Sequence, residues 1–270
     1  MQSVGKYLES LFSLEGKVIL LTGAAGGIGE AFARGLAAAG GRVALCDINI
    51  LRCEEISSEL INEGLSAKFY SLDISNTDSI KSCADAIMSD FGRIDVLVNC
   101  AGINKREGFL DVNEETYDRI MGINLKGAFI LSQEVVKHMI PQKQGNIINI
   151  CSHNDEGMLG GCSVYGASKS GLRALTRSMA IEWAKHGIRA NALSPGHIIT
   201  PLTAVTWEHP TRSEYLRDRI AMQRPGTPEE LVGLCIMLAS DASAYMSGQV
   251  YRVDGGCLCG GSPWEYDTEY

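Results

Sequence analysis

Apolar positions along the chain follow two alternating rhythms. Short apolar runs bounded by Gly, Asn or Asp read as buried strands: Val18–Leu21, Val43–Cys46, Ala67–Leu72, Val96–Val98, Asn146–Ile150, Arg189–Leu193 and Gln249–Val253. Between them lie stretches of helical period: Gly29–Ala39, Leu51–Asn62, Thr77–Phe91, Glu114–His138, Tyr165–Lys185 and Thr227–Leu238. Strand and helix in strict alternation predict an α/β fold, with a doubly wound parallel sheet and helices on both faces. Such sheets take ligands at the carboxyl ends of their strands.

No repeat, low-complexity tract or linker divides the 270 residues, so one Rossmann-type domain over 1–270 is expected. The segment 197–225 breaks the rhythm. It carries Trp207, His209 and four arginines (Arg212, Arg217, Arg219 and Arg224), and a long segment at the ligand edge is expected to be a substrate loop or lid. The acidic, aromatic tail 260–270 receives no assignment, and neither does the mixed, polar stretch Met1–Glu15.

Composition narrows the function classes. A net charge of −8 and the absence of any basic run argue against a nucleic-acid partner. No stretch is apolar for the length of a membrane span, and no signal-peptide core is visible, so a soluble, cytoplasmic protein is expected. Nine cysteines at irregular spacing form no metal-binding pattern; they read as buried, reduced thiols, and no metal is expected.

Candidate chemistry begins after the first strand, at Thr22-Gly23-Ala24-Ala25-Gly26-Gly27-Ile28-Gly29. Glycines between a strand and a helix let the backbone approach a pyrophosphate at the helix N-terminus. The spacing is T-G-x-x-x-G-x-G rather than G-x-G-x-x-G; only its place between strand and helix separates it from a plain turn. Asp47 ends the second strand, eighteen residues after Gly29. A carboxylate there accepts hydrogen bonds from ribose hydroxyls and repels the extra phosphate of NADP. No Lys or Arg stands at Ala24, Ala25, Gly26, Ile48 or Asn49, so NAD(H) is expected over NADP(H). Asp73 and Ile74, after the third strand, are placed to flank the adenine. Small residues in Asn99-Cys100-Ala101-Gly102 let the fourth strand's end pass under the cofactor, and Asn99 can equally hold neighbouring strands together.

Further along, Tyr165-Gly166-Ala167-Ser168-Lys169 sets a phenol and an ammonium four residues apart, on one helix face. An ammonium beside a phenol favours the phenolate, which makes a tyrosine a usable acid/base. Ser152 stands thirteen residues earlier, after the fifth strand, where a hydroxyl can polarise a substrate oxygen. Asn124 sits in the long helix after the fourth strand. A polar amide there needs a partner, either a water beside Lys169 or the backbone of a helix kink.

These ordered motifs resemble the short-chain dehydrogenase/reductase family. The match runs over about residues 14–256 and includes Gly23/Gly27/Gly29, Asp73, Asn99 to Gly102, Asn124, Ser152, Tyr165/Lys169, Pro195-Gly196 and Val253-Asp254-Gly255-Gly256. The resemblance implies an oxidoreductase acting on CH–OH groups, with Ser152 binding substrate, Tyr165 as acid/base, Lys169 anchoring the ribose and Asn124 holding a water. It implies that Pro195 and Gly196 help bind the cofactor, and that Ile198, helped by Thr200, presents its backbone to the nicotinamide amide. It also implies a homotetramer built on the two long helices, where Leu172, Leu175 and Ala180 suit an interface or a core equally. Cys100 departs from the family's usual second Asn but is small enough to fit.

Substrate class rests on two polar loops, Gly102-Ile103-Asn104-Lys105-Arg106-Glu107 and His153-Asn154-Asp155-Glu156. Arg106 can pair a carboxylate with two hydrogen bonds. A polar sugar acid or polyol is therefore expected, with Arg106, His153, Asn154 and Trp207 as candidate contacts, and the look is similar to the gluconate 5-dehydrogenase and 2-dehydro-3-deoxy-gluconate 5-dehydrogenase group. Two alternatives stand: bulkier secondary alcohols or cyclic ketones, lined by Met158, Leu159, Leu202 and Trp207, and a non-catalytic NAD-binding redox sensor. The complete Asn–Ser–Tyr–Lys set argues against the sensor, which needs no acid/base.

Overall fold

A computed structural model describes residues 4–201 and 203–260. Seven strands form one all-parallel sheet in the order β3-β2-β1-β4-β5-β6-β7. They are β1 (Val18–Thr22), β2 (Arg42–Asp47), β3 (Ser66–Ser71), β4 (Val96–Asn99), β5 (Gly145–Ile150), β6 (Ile188–Pro195) and β7 (Val250–Val253). Each sequence-predicted strand is present, within a residue or two at its ends.

The pleat loads both faces of the sheet. In β1, Ile19 and Leu21 pack with Phe32, Leu36, Ile56, Leu60, Leu231 and Leu238. These come from α2 (Gly27–Ala38), α3 (Ile50–Asn62) and α10 (Glu229–Ala239). Val18 and Leu20 point the other way, into Ile80, Ile87, Leu131, Val135, Met139 and Met179. Those belong to α4 (Thr77–Phe91), α6 (Ala128–Gln142) and α7 (Ser163–Trp183). Each fully buried aliphatic or aromatic side chain contributes about 1.5–3 kcal/mol, so slipping any central strand by one residue would lose both layers. Asparagines start three helices: Asn49 accepts from Arg52 N, Asn76 from Asp78 N and Ser79 N, and Asn113 from Thr116 N.

Strand order reverses between β1 and β4, and the two chain ends diverge there to open a crevice. The turn after β1 and the loop after β4 form its rim.

Three stretches differ from expectation. The N-terminal stretch contains a helix, α1 (Val4–Phe12), whose Val4, Tyr7 and Leu8 stay exposed; with no buried face it leaves no core-type pattern to read. The long helix 114–138 is interrupted: α5 (Glu114–Met121) passes through a π-helical stretch, Gly122–Gly127, before α6. The segment 197–225, expected as a loop, carries two short helices, α8 (Ala204–Trp207) and α9 (Pro210–Arg217), the latter capped by His209 accepting from Arg212 N. Of the tail 260–270, residues 261–270 lie outside the described residues.

Candidate active site

A cleft of about 600 Å³ runs along the carboxyl edge of the sheet, from Asp47 and Asp73 at one end to Trp207 and Arg212 at the other. Its near end is built from backbone. Gly23 has φ +69°, and a Cβ there would lie 2.8 Å from Ala101 Cα; at Gly29 a Cβ would lie 1.9 Å from Gly23 O. Only glycine allows the turn to fold this tightly against β4 and against itself. Helix α2 opens at Gly27 with no side chain capping it, so its first N–H groups meet the cleft through Gly27, Ile28 and Gly29. This cradle, which any side chain would fill, fits the pyrophosphate of a dinucleotide. Thr22 Oγ1 accepts from both Cys100 N and Ala101 N at 3.0 Å, welding the β1 and β4 ends together.

Asp47 lies half-buried on the cleft wall. One of its carboxylate oxygens accepts from Ala25 N at 3.2 Å and the other from Asn49 N at 2.9 Å. Asp73 and Ile74 line the same end, and Asp73 accepts from Ser75 N and Ser75 Oγ. Ala101, Gly102, Pro195, Gly196, Ile198 and Thr200 line the middle. Thr203 Oγ1 donates to Ile198 O at 2.7 Å and accepts from Thr200 N at 2.8 Å, which shapes the chain past β6.

Asn99 is placed differently. Its side chain is buried under the cleft, donating to Ser132 Oγ at 3.0 Å and Asn149 Oδ1 at 2.8 Å. It bridges β4, β5 and α6, which is the strand-holding role.

Ser152, Tyr165 and Lys169 meet in the cleft. Ser152 follows β5, and its Oγ accepts from Asn154 N at 3.2 Å, which leaves its own proton available to donate. Tyr165 and Lys169 lie one turn apart on α7, with Lys169 Nζ 5.8 Å from the Tyr165 ring centroid. Lys169 is buried, and its ammonium donates to Ile150 O at 2.7 Å. Asn124 sits in the π-helical stretch, below the cleft surface. Its amide is locked to the backbone of Ile103 in both directions, at 2.8 and 2.9 Å, and donates to Ser168 Oγ at 3.1 Å. The kink and the polar amide are one feature: the widened turn presents Asn124 to the loop after β4.

Only half of the polar residues in the two loops line the cleft. Asn104, Arg106, His153 and Asn154 line it, whereas Lys105 pairs with Glu107 at 2.6 Å. Asp155 is buried against Ser194 and Arg252, and Glu156 pairs with Arg173 and Arg252. Arg106 Nη1 donates to Thr206 Oγ1 at 2.8 Å. Trp207 is on the wall, its ring centroid 6.1 Å from that of His197, which in turn lies 4.3 Å from His153. Burial pushes His197 down to about 3, with His153 and Arg106 adding to it. Burial also lowers His153, opposed by its hydrogen bond to the Pro195 backbone. Both imidazoles are neutral at physiological pH. Burial holds the Cys100 and Cys151 thiols up at about 12, so neither is a nucleophile here.

Thr203, Thr206 and His197 were not singled out from the sequence. Thr206 acts through a contact with Arg106 one hundred residues away, which leaves no local signal; Thr203 acts within a short turn to Ile198 and Thr200 that has no periodic pattern; and His197 acquires its place only when β6 meets the loop after β5. Of the apolar wall weighed for bulkier substrates, Leu159 and Trp207 line the cleft, Met158 is 61% exposed, and Leu202 lies outside the described residues. Of the residues weighed for an interface, Leu172 and Ala180 are buried in the core and Leu175 is partly buried against it; Phe129 and Ile181, not singled out from the sequence, are exposed on those helices. No metal-ligand spacing is visible in the sequence, yet the fold brings His153, His197 and Cys257 together, with ligand atoms all within 4.8 Å of one another.

A seven-stranded parallel sheet with a glycine cradle and a Ser–Tyr–Lys cluster defines a dinucleotide-dependent oxidoreductase acting on CH–OH groups. The chain belongs to the short-chain dehydrogenase/reductase family: residues 23–257 match a family model described as enoyl-(acyl carrier protein) reductase. It is 42% identical to a 2-dehydro-3-deoxy-D-gluconate 5-dehydrogenase of Escherichia coli strain K12, covering 92% of this chain and 98% of the relative. It is 41% identical to a 3-oxoacyl-[acyl-carrier-protein] reductase of Thermotoga maritima, covering 91% and 99%. Among solved structures, a gluconate 5-dehydrogenase from Burkholderia cenocepacia J2315, in complex with NADP and tartrate, is similar with a TM-score of 0.90 at 35% identity, covering 93% and 99%. None of the described helices is long and apolar enough to cross a membrane.

Proposed function

We propose that this chain is an NAD(H)-dependent dehydrogenase that interconverts a secondary alcohol and a ketone on a polar sugar acid or polyol. The observation that carries the reading is that Ser152, Tyr165 and Arg106 line a single cleft. When bound, a nicotinamide dinucleotide supplies the hydride acceptor for the alcohol or the hydride donor for the ketone. Tyr165 takes the proton from the alcohol oxygen or returns it to the ketone oxygen. Ser152 donates to that same oxygen as charge develops on it. Lys169, fixed by Ile150 O, holds positive charge near the phenol and meets the cofactor ribose. Asn124 keeps the β4 loop in place from beneath, and Arg106 receives the substrate carboxylate.

Gly23, Gly27, Ile28 and Gly29 would hold the pyrophosphate, Asp47 the adenine ribose, Asp73 and Ile74 the adenine, and Pro195, Gly196, Ile198 and Thr200 the nicotinamide. Preference for NAD(H) rests on Asp47 and on the engagement of nearby cations. Arg34 pairs with Glu30 and Glu59, and Arg52 pairs with Glu30 and Glu55, which leaves these guanidiniums committed. The Burkholderia cenocepacia relative was crystallised with NADP, so this preference is read from the present chain's own residues. A cytoplasmic homotetramer completes the proposal, with Phe129 and Ile181 available to pack between subunits.

The test measures NADH or NADPH formation with gluconate-type acids, neutral polyols and cyclic secondary alcohols, each with NAD and NADP. Turnover of the acids with NAD is expected. Turnover confined to cyclic alcohols would overturn the substrate, and cofactor binding with no turnover of any carbonyl or alcohol would overturn the enzyme.

A further inference from the structure

We propose that His153, His197 and Cys257 form a binding site for Zn²⁺ or a similar thiophilic divalent cation, with its fourth coordination position facing the substrate end of the cleft. The three residues come from three separate strand ends: His153 after β5, His197 after β6 and Cys257 after β7. Their ligand atoms lie within 4.8 Å of one another. A tetrahedral zinc with Zn–N of about 2.0–2.1 Å and Zn–S of about 2.3 Å needs ligand separations of roughly 3.3–3.7 Å. Side-chain adjustments of about 1 Å close that gap.

An independent observation points to a ligand at the same place. His153 is 92% buried (8% exposed), yet its Nδ1 has no hydrogen-bond partner. A buried, unpaired ring nitrogen is costly unless something meets it. Two imidazoles and a thiol are a donor set for zinc and related metals, not for Mg²⁺ or Ca²⁺, which prefer oxygen.

Local charge suits a dication bound to a thiolate. Asp254 acts electrostatically on all three groups, so Zn²⁺, the Cys257 thiolate and the Asp254 carboxylate sum to zero. Its carboxylate is held by Gly256 N and Leu258 N, on either side of Cys257. Arg106, Arg219 and Arg252 oppose a cation, but Arg252 is answered by Asp155 and Glu156. His153 and His197 both line the cleft beside Ser152, which leaves the fourth position to water or a substrate oxygen. The site does not require the sugar-acid reading.

The test titrates Co²⁺, then competing Zn²⁺, into chelator-treated full-length protein. One Co²⁺ per chain with tetrahedral d–d bands and a thiolate-to-cobalt charge-transfer band is expected, displaced by Zn²⁺. Cys257→Ser should abolish the charge-transfer band and weaken Zn²⁺ binding at least about tenfold, as should His197→Gln, while Cys259→Ser should change neither. Circular dichroism confirms that each variant is folded. If a variant does not fold, the spectrum of the unaltered chain still decides. Absence of a thiolate band in the unaltered chain overturns the site, as does a band that survives Cys257→Ser or is lost only in Cys259→Ser.

Discussion

The Arg106 guanidinium donates to the Thr206 hydroxyl at 2.8 Å, tying the loop after β4 to helix α8 across one hundred residues of chain. Arg106 stays solvent-accessible, and the contact holds it on the cleft wall. Arg106→Ala should raise KM for hydroxy acids by about 10- to 100-fold, matching the roughly 1.5–3 kcal/mol of a hydrogen bond to a charged group. Neutral polyols should change much less. Steady-state kinetics on a matched acid and polyol check this, and equal effects on both would reject a carboxylate contact. Thr206→Val should give a smaller effect in the same direction.

Tyr165→Phe removes one hydroxyl and keeps the ring on α7. Turnover should fall by about 10²- to 10⁴-fold or more, the usual worth of positioned acid/base catalysis. NADH binding, followed by quenching or energy transfer to its fluorescence, should be nearly unchanged. Substantial residual turnover would remove Tyr165 from the proton path.

Asp47 accepts from the backbone at Ala25 and Asn49 while lining the cofactor end of the cleft. Asp47→Ser removes the negative charge that disfavours a 2′-phosphate. The ratio of kcat/KM for NAD over NADP should drop by about tenfold or more, equivalent to about 1.4 kcal/mol. An unchanged ratio would move cofactor choice elsewhere.

His197 titrates at about 3 in the folded chain against an ordinary 6.5, because burial disfavours its charged form. Between those values the unfolded chain binds a proton that the folded chain excludes. Stability therefore falls as pH drops from 6.5 toward 3, by up to about 1.4 kcal/mol per pH unit. Urea unfolding midpoints of chelator-treated protein across this range should show a shallower decline for His197→Gln than for the unaltered chain.

The sheet and the catalytic cluster were legible because their signals are local. Strands buried on both faces read as apolar runs, and Tyr165 and Lys169 meet through helix spacing alone. Asn124 was legible as a polar residue that needs a partner, but not as the residue clamping Ile103, since that depends on a widened turn no periodicity reveals. The polar loop His153 to Glu156 misled in part: Asp155 and Glu156 add to the polarity from which a polar substrate is expected, yet Arg173 and Arg252, distant in the chain, claim them. The His153–His197–Cys257 cluster is invisible in sequence because three strand ends must converge to make it.

The π-helical stretch Gly122–Gly127 has a bearing on how this protein can change. A π turn accommodates one residue more than an α turn, so α5 and α6 are joined out of phase by about 100°. Substitutions on either helix leave that phase intact. A single deletion inside the stretch would restore a regular α-helix, swing Asn124 off Ile103 and Ser168, and rotate either Ile120 or Leu131 out of its layer. Length at this point is therefore under tighter constraint than residue identity, and a one-residue deletion should prove more damaging than several nearby replacements together.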